Sequence, residues 1–102
     1  MFIAVYWWRV KPGKEDQFRR AWFRGTELIK ARLGGLGSRL HHNSDGRFVA
    51  YAQWPDQATW QRAYDARFDY GEPETARLFT DAVAEGAPGH MPVFSMTVTD
   101  DL

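Results

Sequence analysis

The first hydrophobic run, Phe2-Ile3-Ala4-Val5-Tyr6-Trp7-Trp8, is apolar on both alternating sets and rich in β-branched and aromatic residues. That pattern predicts a strand covered on both sides, where an edge strand would keep one wet face. Lys11-Pro12-Gly13-Lys14 follows as a turn. The period then changes. Phe18, Ala21, Trp22, Gly25, Leu28, Ile29 and Leu33 recur three and four apart, while Glu15, Asp16, Arg19, Arg20, Glu27 and Lys30 lie mostly off that stripe. This predicts an amphipathic helix with a solvated charged face. Acidic residues open it and Lys30 and Arg32 close it, as the helix dipole favours, and Gly34-Gly35 ends it.

Leu36 to Asn43 reads as a strand, Ser44-Asp45-Gly46 as a hairpin turn and Arg47 to Trp54 as the returning strand. With Asp45-Gly46 at the turn, Asn43 is expected opposite Phe48 and His41 opposite Ala50. Pro55 closes the strand, and Asp56 is placed to cap a helix from Gln57 to Phe68. Asp69-Tyr70-Gly71-Glu72 breaks that run. A further helix is expected from Pro73, with Ala76, Leu78, Phe79, Ala82 and Val83 on its apolar side. Gly86-Ala87-Pro88-Gly89 reads as a loop and Pro92 to Thr99 as the last strand.

The order β-α-β-β-α-(α)-β over residues 1–102 is the split βαβ pattern. It predicts one α+β domain of ferredoxin-like build, an antiparallel sheet with helices on one face. Such a sheet has a second face, and here the strands carry apolar residues on both alternating sets. A bare face of that kind is a large exposed patch. A two-fold homodimer with the sheets facing each other is the simplest way to cover it, giving a dimeric α+β barrel.

Composition narrows the chemistry. Hydrophobic residues make up 44% of the 102 residues and aromatics 16%, with five Trp, so some aromatic surface is expected to meet a partner or a ligand. Thirteen basic residues balance thirteen acidic ones, which gives no cationic excess for nucleic acid. Ten of the thirteen are Arg, able to pair bidentately with carboxylates. Cysteine is absent, which excludes disulfides, thiolate metal sites, iron–sulfur clusters and a Cys nucleophile. The opening run lacks a charged leader and a cleavage site, and no apolar stretch approaches the ~20 residues of a membrane helix. A cytoplasmic protein without membrane contact is the expectation.

Two segments carry a family resemblance. Arg9-Val10-Lys11-Pro12-Gly13-Lys14-Glu15-Asp16-Gln17-Phe18 resembles the strand-to-helix junction of antibiotic-biosynthesis-monooxygenase-like domains. Phe48-Val49-Ala50-Tyr51-Ala52-Gln53-Trp54-Pro55-Asp56 resembles their third strand and its exit. The quinone-forming members read Asn-Tyr-Ala-Gln-Trp there, with a Tyr six residues after the Trp, and this chain is similar to them at Tyr51-Ala52-Gln53-Trp54. The Asn position is Ala50 and the Tyr position is Trp60. The resemblance implies oxidation of phenolic polycyclic substrates by O2 with no cofactor and no metal. Haem-degrading relatives use an Asn on the first strand and a His on the helical side. This chain has neither, with no His between Asn43 and Gly89.

The candidate site residues follow from placement. Trp54 shares a strand face with Ala50 and Ala52, and two small residues beside a large one leave either pocket space or a close helix contact. Trp60 and Tyr64, four apart on one helix face, are suited to stack on a flat ligand or to fill the core. Tyr64 is the phenol available for a proton relay, and with Trp54 and Trp60 as the walls, His41 in the expected register is either the general base or a hydrogen-bonded or solvated histidine near the hairpin end. Arg39 joins that face as an anion clamp, or forms a dimer-edge salt bridge. Adjacent His41 and His42 diverge and cannot share a metal ion. Three readings result: a cofactor-independent monooxygenase of a small aromatic or polyketide-like substrate, a non-oxidative isomerase or cyclase using His41 and Arg39, or a non-catalytic binding or structural dimer.

Overall fold

The first apolar run becomes the centre of the sheet, β1 (Phe2–Val10). The structure is a computed structural model and describes residues 1–86 and 91–102. β1 pairs antiparallel with β3 (Phe48–Trp54), and β3 with β2 (Gly37–His42). The other edge of β1 is shared by β4 (Val83–Gly86), beside Trp8 to Val10, and β5 (Phe94–Thr97), beside Phe2 to Val5. The sheet order is β2-β3-β1-β4, with β5 also on β1. Helices α1 (Glu15–Arg32), α2 (Gln57–Asp65) and α3 (Pro73–Ala82) complete an α+β, ferredoxin-like fold.

Strand alternation assigns the faces. Phe2, Ala4, Tyr6 and Trp8 of β1 lie opposite Trp54, Ala52, Ala50 and Phe48 of β3, and this set packs under the helices. Phe18 of α1 is the fully buried hub. Its ring centroid lies 5.6 Å from Trp8, 5.1 Å from Phe48 and 5.0 Å from Phe79 of α3. Burying a side chain of this size contributes about 1.5–3 kcal/mol, and aromatic pairs in such geometry about 0.5–1.5 kcal/mol more. α1 and α3 are also clasped at the surface, where the Lys14 ammonium and the Gln17 amide both donate to the Asp81 carboxylate. The Asp56 side chain accepts from the Thr59 N–H at 2.8 Å and caps α2.

Ile3, Val5 and Trp7 face the other way, with Val49, Tyr51 and Gln53 of β3 and Phe94 and Met96 of β5. On this open face Tyr51, Phe94 and Met96 are exposed at 37%, 63% and 45%, and Val5, Trp7 and Val49 are half-buried. The Arg47 guanidinium lies 5.2 Å from the centre of the Trp7 ring, a cation–π contact.

Four expectations change. The hairpin loop has three residues, Ser44 to Gly46, with the Asn43 N–H donating to the Arg47 carbonyl and Gly46 at φ +89°. A left-handed residue after a type I turn sets this loop length, and glycine takes it without steric cost. The register therefore slips by one: His42 pairs with Phe48, and Leu40 with Ala50. α2 stops at Asp65 because Arg67 and Phe68 turn to φ +56° and +50°. Val83–Gly86, expected to end a helix and begin a loop, is instead strand β4, and the last strand is shorter, Phe94–Thr97. Residues 87–89 of the expected loop lie outside the described residues.

Candidate active site

Between the helix-covered face of the sheet and helices α1 and α3 lies a cavity of about 400 Å3. Its floor is Tyr6 and Trp8 of β1 with Ala50, Ala52 and Trp54 of β3. The two alanines are the reason for the space, because the flanking residues of that face are large rings. Trp22, Gly25 and Ile29 of α1 form one wall, and Phe68, Tyr70 and the α3 residues Ala76 and Phe79 the other. The volume lies within the range of small-molecule sites, and the lining is mostly apolar with a few polar groups at the rim, among them Lys30, Ser38, Asp69 and Glu72.

Besides Thr26, Ser38 and Thr80, two tyrosines bring hydroxyl-bearing side chains to the cavity. Tyr6 is almost fully buried, and its hydroxyl accepts a hydrogen bond from Trp60 Nε1 at 3.1 Å. Burial pushes the phenol up to about 12, partly countered by that indole N–H, so Tyr6 is a neutral donor at physiological pH. Tyr70 sits over α1 where Gly25 leaves room: a Cβ at Gly25 would come within 3.3 Å of the Tyr70 hydroxyl. Burial, then the nearby Glu72 carboxylate, raise its pKa as well. The segment carrying Tyr70 is tied to α1 by Arg32 Nη1, which donates to the Tyr70 carbonyl at 2.7 Å, and by the 2.9 Å ion pair of Arg24 with Glu72.

Trp54 is 2% exposed and lines the cavity, and its Nε1 is buried with no hydrogen-bond partner among the described residues. Such an unpaired donor costs about 1–3 kcal/mol. Trp60 and Tyr64 stack on each other, with centroids 5.2 Å apart, and Trp60 also meets Phe2 at 5.4 Å. Both are core neighbours of the cavity and neither lines it.

The register slip decides the remaining candidates. His41 pairs with Val49 and Arg39 with Tyr51, so both belong to the open face, which corrects the expectation that they share a face with Ala50 and Trp54. His41 is exposed, with Nδ1 3.0 Å from the Val49 carbonyl, and Arg39 is exposed too. One residue of slip sends every β2 side chain to the other face. Leu40 and His42 take the helix side, and the His42 ring meets Phe48 in a tilted contact at 4.8 Å. Of the five candidates, the cavity receives Trp54 alone. Tyr6 could have been found from the sequence, since parity puts it with Phe2 and Ala4 on the core face and a buried phenol needs a partner. Tyr70 carries no such signal, because it lies in a loop.

Comparison with known proteins bears on this architecture. A family model described as antibiotic biosynthesis monooxygenase matches residues 1–66, more than half of the chain. The chain belongs to the antibiotic biosynthesis monooxygenase family. A comparison with curated proteins found no match. Among solved structures, the fold is similar to SnoaB from Streptomyces nogalater, described as a cofactor-independent oxygenase. An asparagine-to-alanine variant of SnoaB superposes with a TM-score of 0.69 at 18% identity, over 99% of this chain and 95% of that one. It is similar as well to the monooxygenase ActVA-Orf6 of Streptomyces coelicolor in complex with nanaomycin D, with a TM-score of 0.64 at 21% identity over 99% and 89% of the two chains. Rv0793 from Mycobacterium tuberculosis shares the fold at a TM-score of 0.60 and 11% identity, over 98% and 96%. At identities this low the structural likeness shows the fold alone.

The matched residues of this family member supply the cavity floor and the α1 wall. The loop from Arg67 to Glu72 and helix α3, which close the opposite wall, lie beyond the match. Among the described residues no helix is long and apolar enough to cross a membrane, and no cluster of His, Asp or Glu is arranged to hold a metal ion.

Proposed function

We propose that the protein is a cofactor-independent oxygenase that binds a small planar phenolic ring system in the cavity beside Trp54 and oxidises it with O2. The observation that carries this reading is the cavity itself, an aromatic-walled space of about 400 Å3 built on the family's Tyr-Ala-Gln-Trp strand. Its flat rings at Trp8, Trp22 and Trp54 suit a polycyclic ligand.

The chemistry needs orientation, a proton acceptor and stabilisation of an anion. For an anthrone-type substrate, loss of a proton gives an electron-rich anion. That anion transfers electrons to O2 to form a carbon peroxide anion, which takes the proton back from the acceptor carboxyl to give the hydroperoxide. Loss of water from the hydroperoxide leaves the quinone carbonyl, so one oxygen atom enters the product and the other leaves as water. Asp69 on the rim is the proton acceptor of this proposal, in place of His41. One of its carboxylate oxygens takes the Gly71 N–H at 3.0 Å, and the other has no partner among the described residues.

The proposed unit is a homodimer joined through the open sheet face, supported by the exposed Tyr51, Phe94 and Met96 beside Val5 and Trp7. A non-catalytic ring-binding dimer is the second reading. It is favoured by Ala50 and Trp60 at the positions where the quinone-forming members carry Asn and Tyr. Oxygen consumption with dithranol, a dihydroxyanthrone, separates the two. Uptake well above the buffer rate with quinone formed in equal amount supports the oxygenase. Tight ring binding with no uptake supports the binding protein, and neither binding nor uptake removes both.

A further inference from the structure

The Tyr6–Trp60 pair joins β1 to α2 inside the core, and the hydrogen bond between them satisfies the buried indole N–H of Trp60. Tyr6 is 8% exposed, and the wall it forms is the cavity floor. Its hydroxyl oxygen is held by the indole N–H of Trp60 at 3.1 Å. A phenol hydroxyl has one proton to donate besides the lone pairs with which it accepts. Among the described residues no group accepts the Tyr6 proton. A buried donor of this kind is satisfied by ligand or water far more often than it is left idle.

We infer that Tyr6 is a catalytic residue whose hydroxyl, oriented by Trp60, donates a hydrogen bond to the oxygen of the bound ring, phenolic or carbonyl. This rests on the reading of the cavity as the ring-binding site. The Trp60 indole on α2 points its N–H at a phenol supplied by the central strand, on the floor of the cavity. Its raised pKa keeps the proton on Tyr6, so the group stabilises negative charge on a ligand oxygen and does not act as a base. Trp60 is a positioning residue: it does not line the cavity, and its part is to hold the Tyr6 oxygen and leave the proton as the one free feature.

The test compares naphthol with naphthalene, two ring ligands of one shape that differ by a hydroxyl. Binding is followed by quenching of tryptophan fluorescence on the full chain. Wild type is expected to bind naphthol about tenfold more tightly than naphthalene, and Tyr6→Phe to lose that preference while naphthalene binding stays put. Tyr6→Phe leaves the Trp60 N–H without its acceptor. The double variant Tyr6→Phe/Trp60→Phe removes both partners and keeps the measurement open should the single variant fold poorly. Trp60→Phe alone is expected to give an intermediate preference. With dithranol, Tyr6→Phe is expected to lower kcat about tenfold with little change in KM, the split expected of a contact strengthened in the transition state. Equal naphthol preference in wild type and Tyr6→Phe overturns the role of Tyr6 and leaves the cavity reading intact. A wild type that binds both ligands equally overturns it as well. A wild type that binds neither ring overturns the cavity reading and this inference together.

Discussion

The two faces of one sheet are made by alternate residues of the same strands, and they end in opposite states. On the helix side, Phe2, Tyr6, Trp8, Phe48 and Trp54 are buried, yet the small Ala50 and Ala52 keep a hollow of about 400 Å3 among them. On the open side, Val5, Trp7 and Val49 are half-buried and Tyr51 is exposed, with no helix of the described residues over them. Along β1 and β3 both faces are mostly apolar, so the hydrophobicity of these two strands does not distinguish them, and β2 adds Arg39 and His41 to the open face. The difference lies in size: small residues set between large ones make a concave wall suited to a ring, while large residues side by side make a flat wall suited to a second sheet.

The strongest way to break this contrast is to remove the hub of the helix side. Phe18→Ala is expected to lower stability by about 3–5 kcal/mol, read by urea unfolding, because Trp8, Phe48 and Phe79 all lose their common neighbour. Filling the hollow comes next. Ala52→Leu is expected to weaken ring binding about a hundredfold while the unfolding transition stays cooperative, since the added atoms enter existing space. On the other face, Tyr51→Glu is expected to weaken self-association about tenfold in sedimentation, leaving ring binding by the folded chain unchanged. Ring binding that falls with Tyr51→Glu, or self-association that falls with Ala52→Leu, would show that the faces are not independent.

Smaller effects sharpen the helical layer. Asp56→Ala removes the cap of α2 and is expected to cost ~1 kcal/mol, seen as a shift of the urea midpoint. Asp81 is held down to about 2 by the hydrogen bonds from Lys14 and Gln17 and then by the Lys14 charge. Because its folded pKa lies below the ordinary carboxylate value, its contribution is present above about pH 4 and is lost as pH falls from there toward 2. The melting temperature is therefore expected to fall over that window, and Asp81→Asn to flatten that part of the profile.

Strand parity explains how much of this was legible in the sequence. The alternation of β1 and β3 placed Trp54 with Ala50 and Ala52 correctly, and the helical stripe from Phe18 to Leu28 named the buried residues of α1. What failed was decided by single backbone angles. Gly46 at φ +89° makes the hairpin loop three residues long, and that one residue moves His41 and Arg39 from the cavity side to the open side. Val83-Ala84-Glu85-Gly86 carries no strand signature, and becomes a strand through the free edge of β1. The Tyr6–Trp60 hydrogen bond joins residues 54 apart, a distance no local pattern spans.

The most direct measurement is a crystal structure of the protein with a hydroxyanthraquinone, the product class of the proposed reaction. The account predicts one ligand per chain on the helix side of the sheet, with its rings beside Trp54 and Trp22 and an oxygen within hydrogen-bond distance of the Tyr6 hydroxyl. A ligand bound against Trp7 and Tyr51 on the open face, with the cavity collapsed around Ala50 and Ala52, would contradict it.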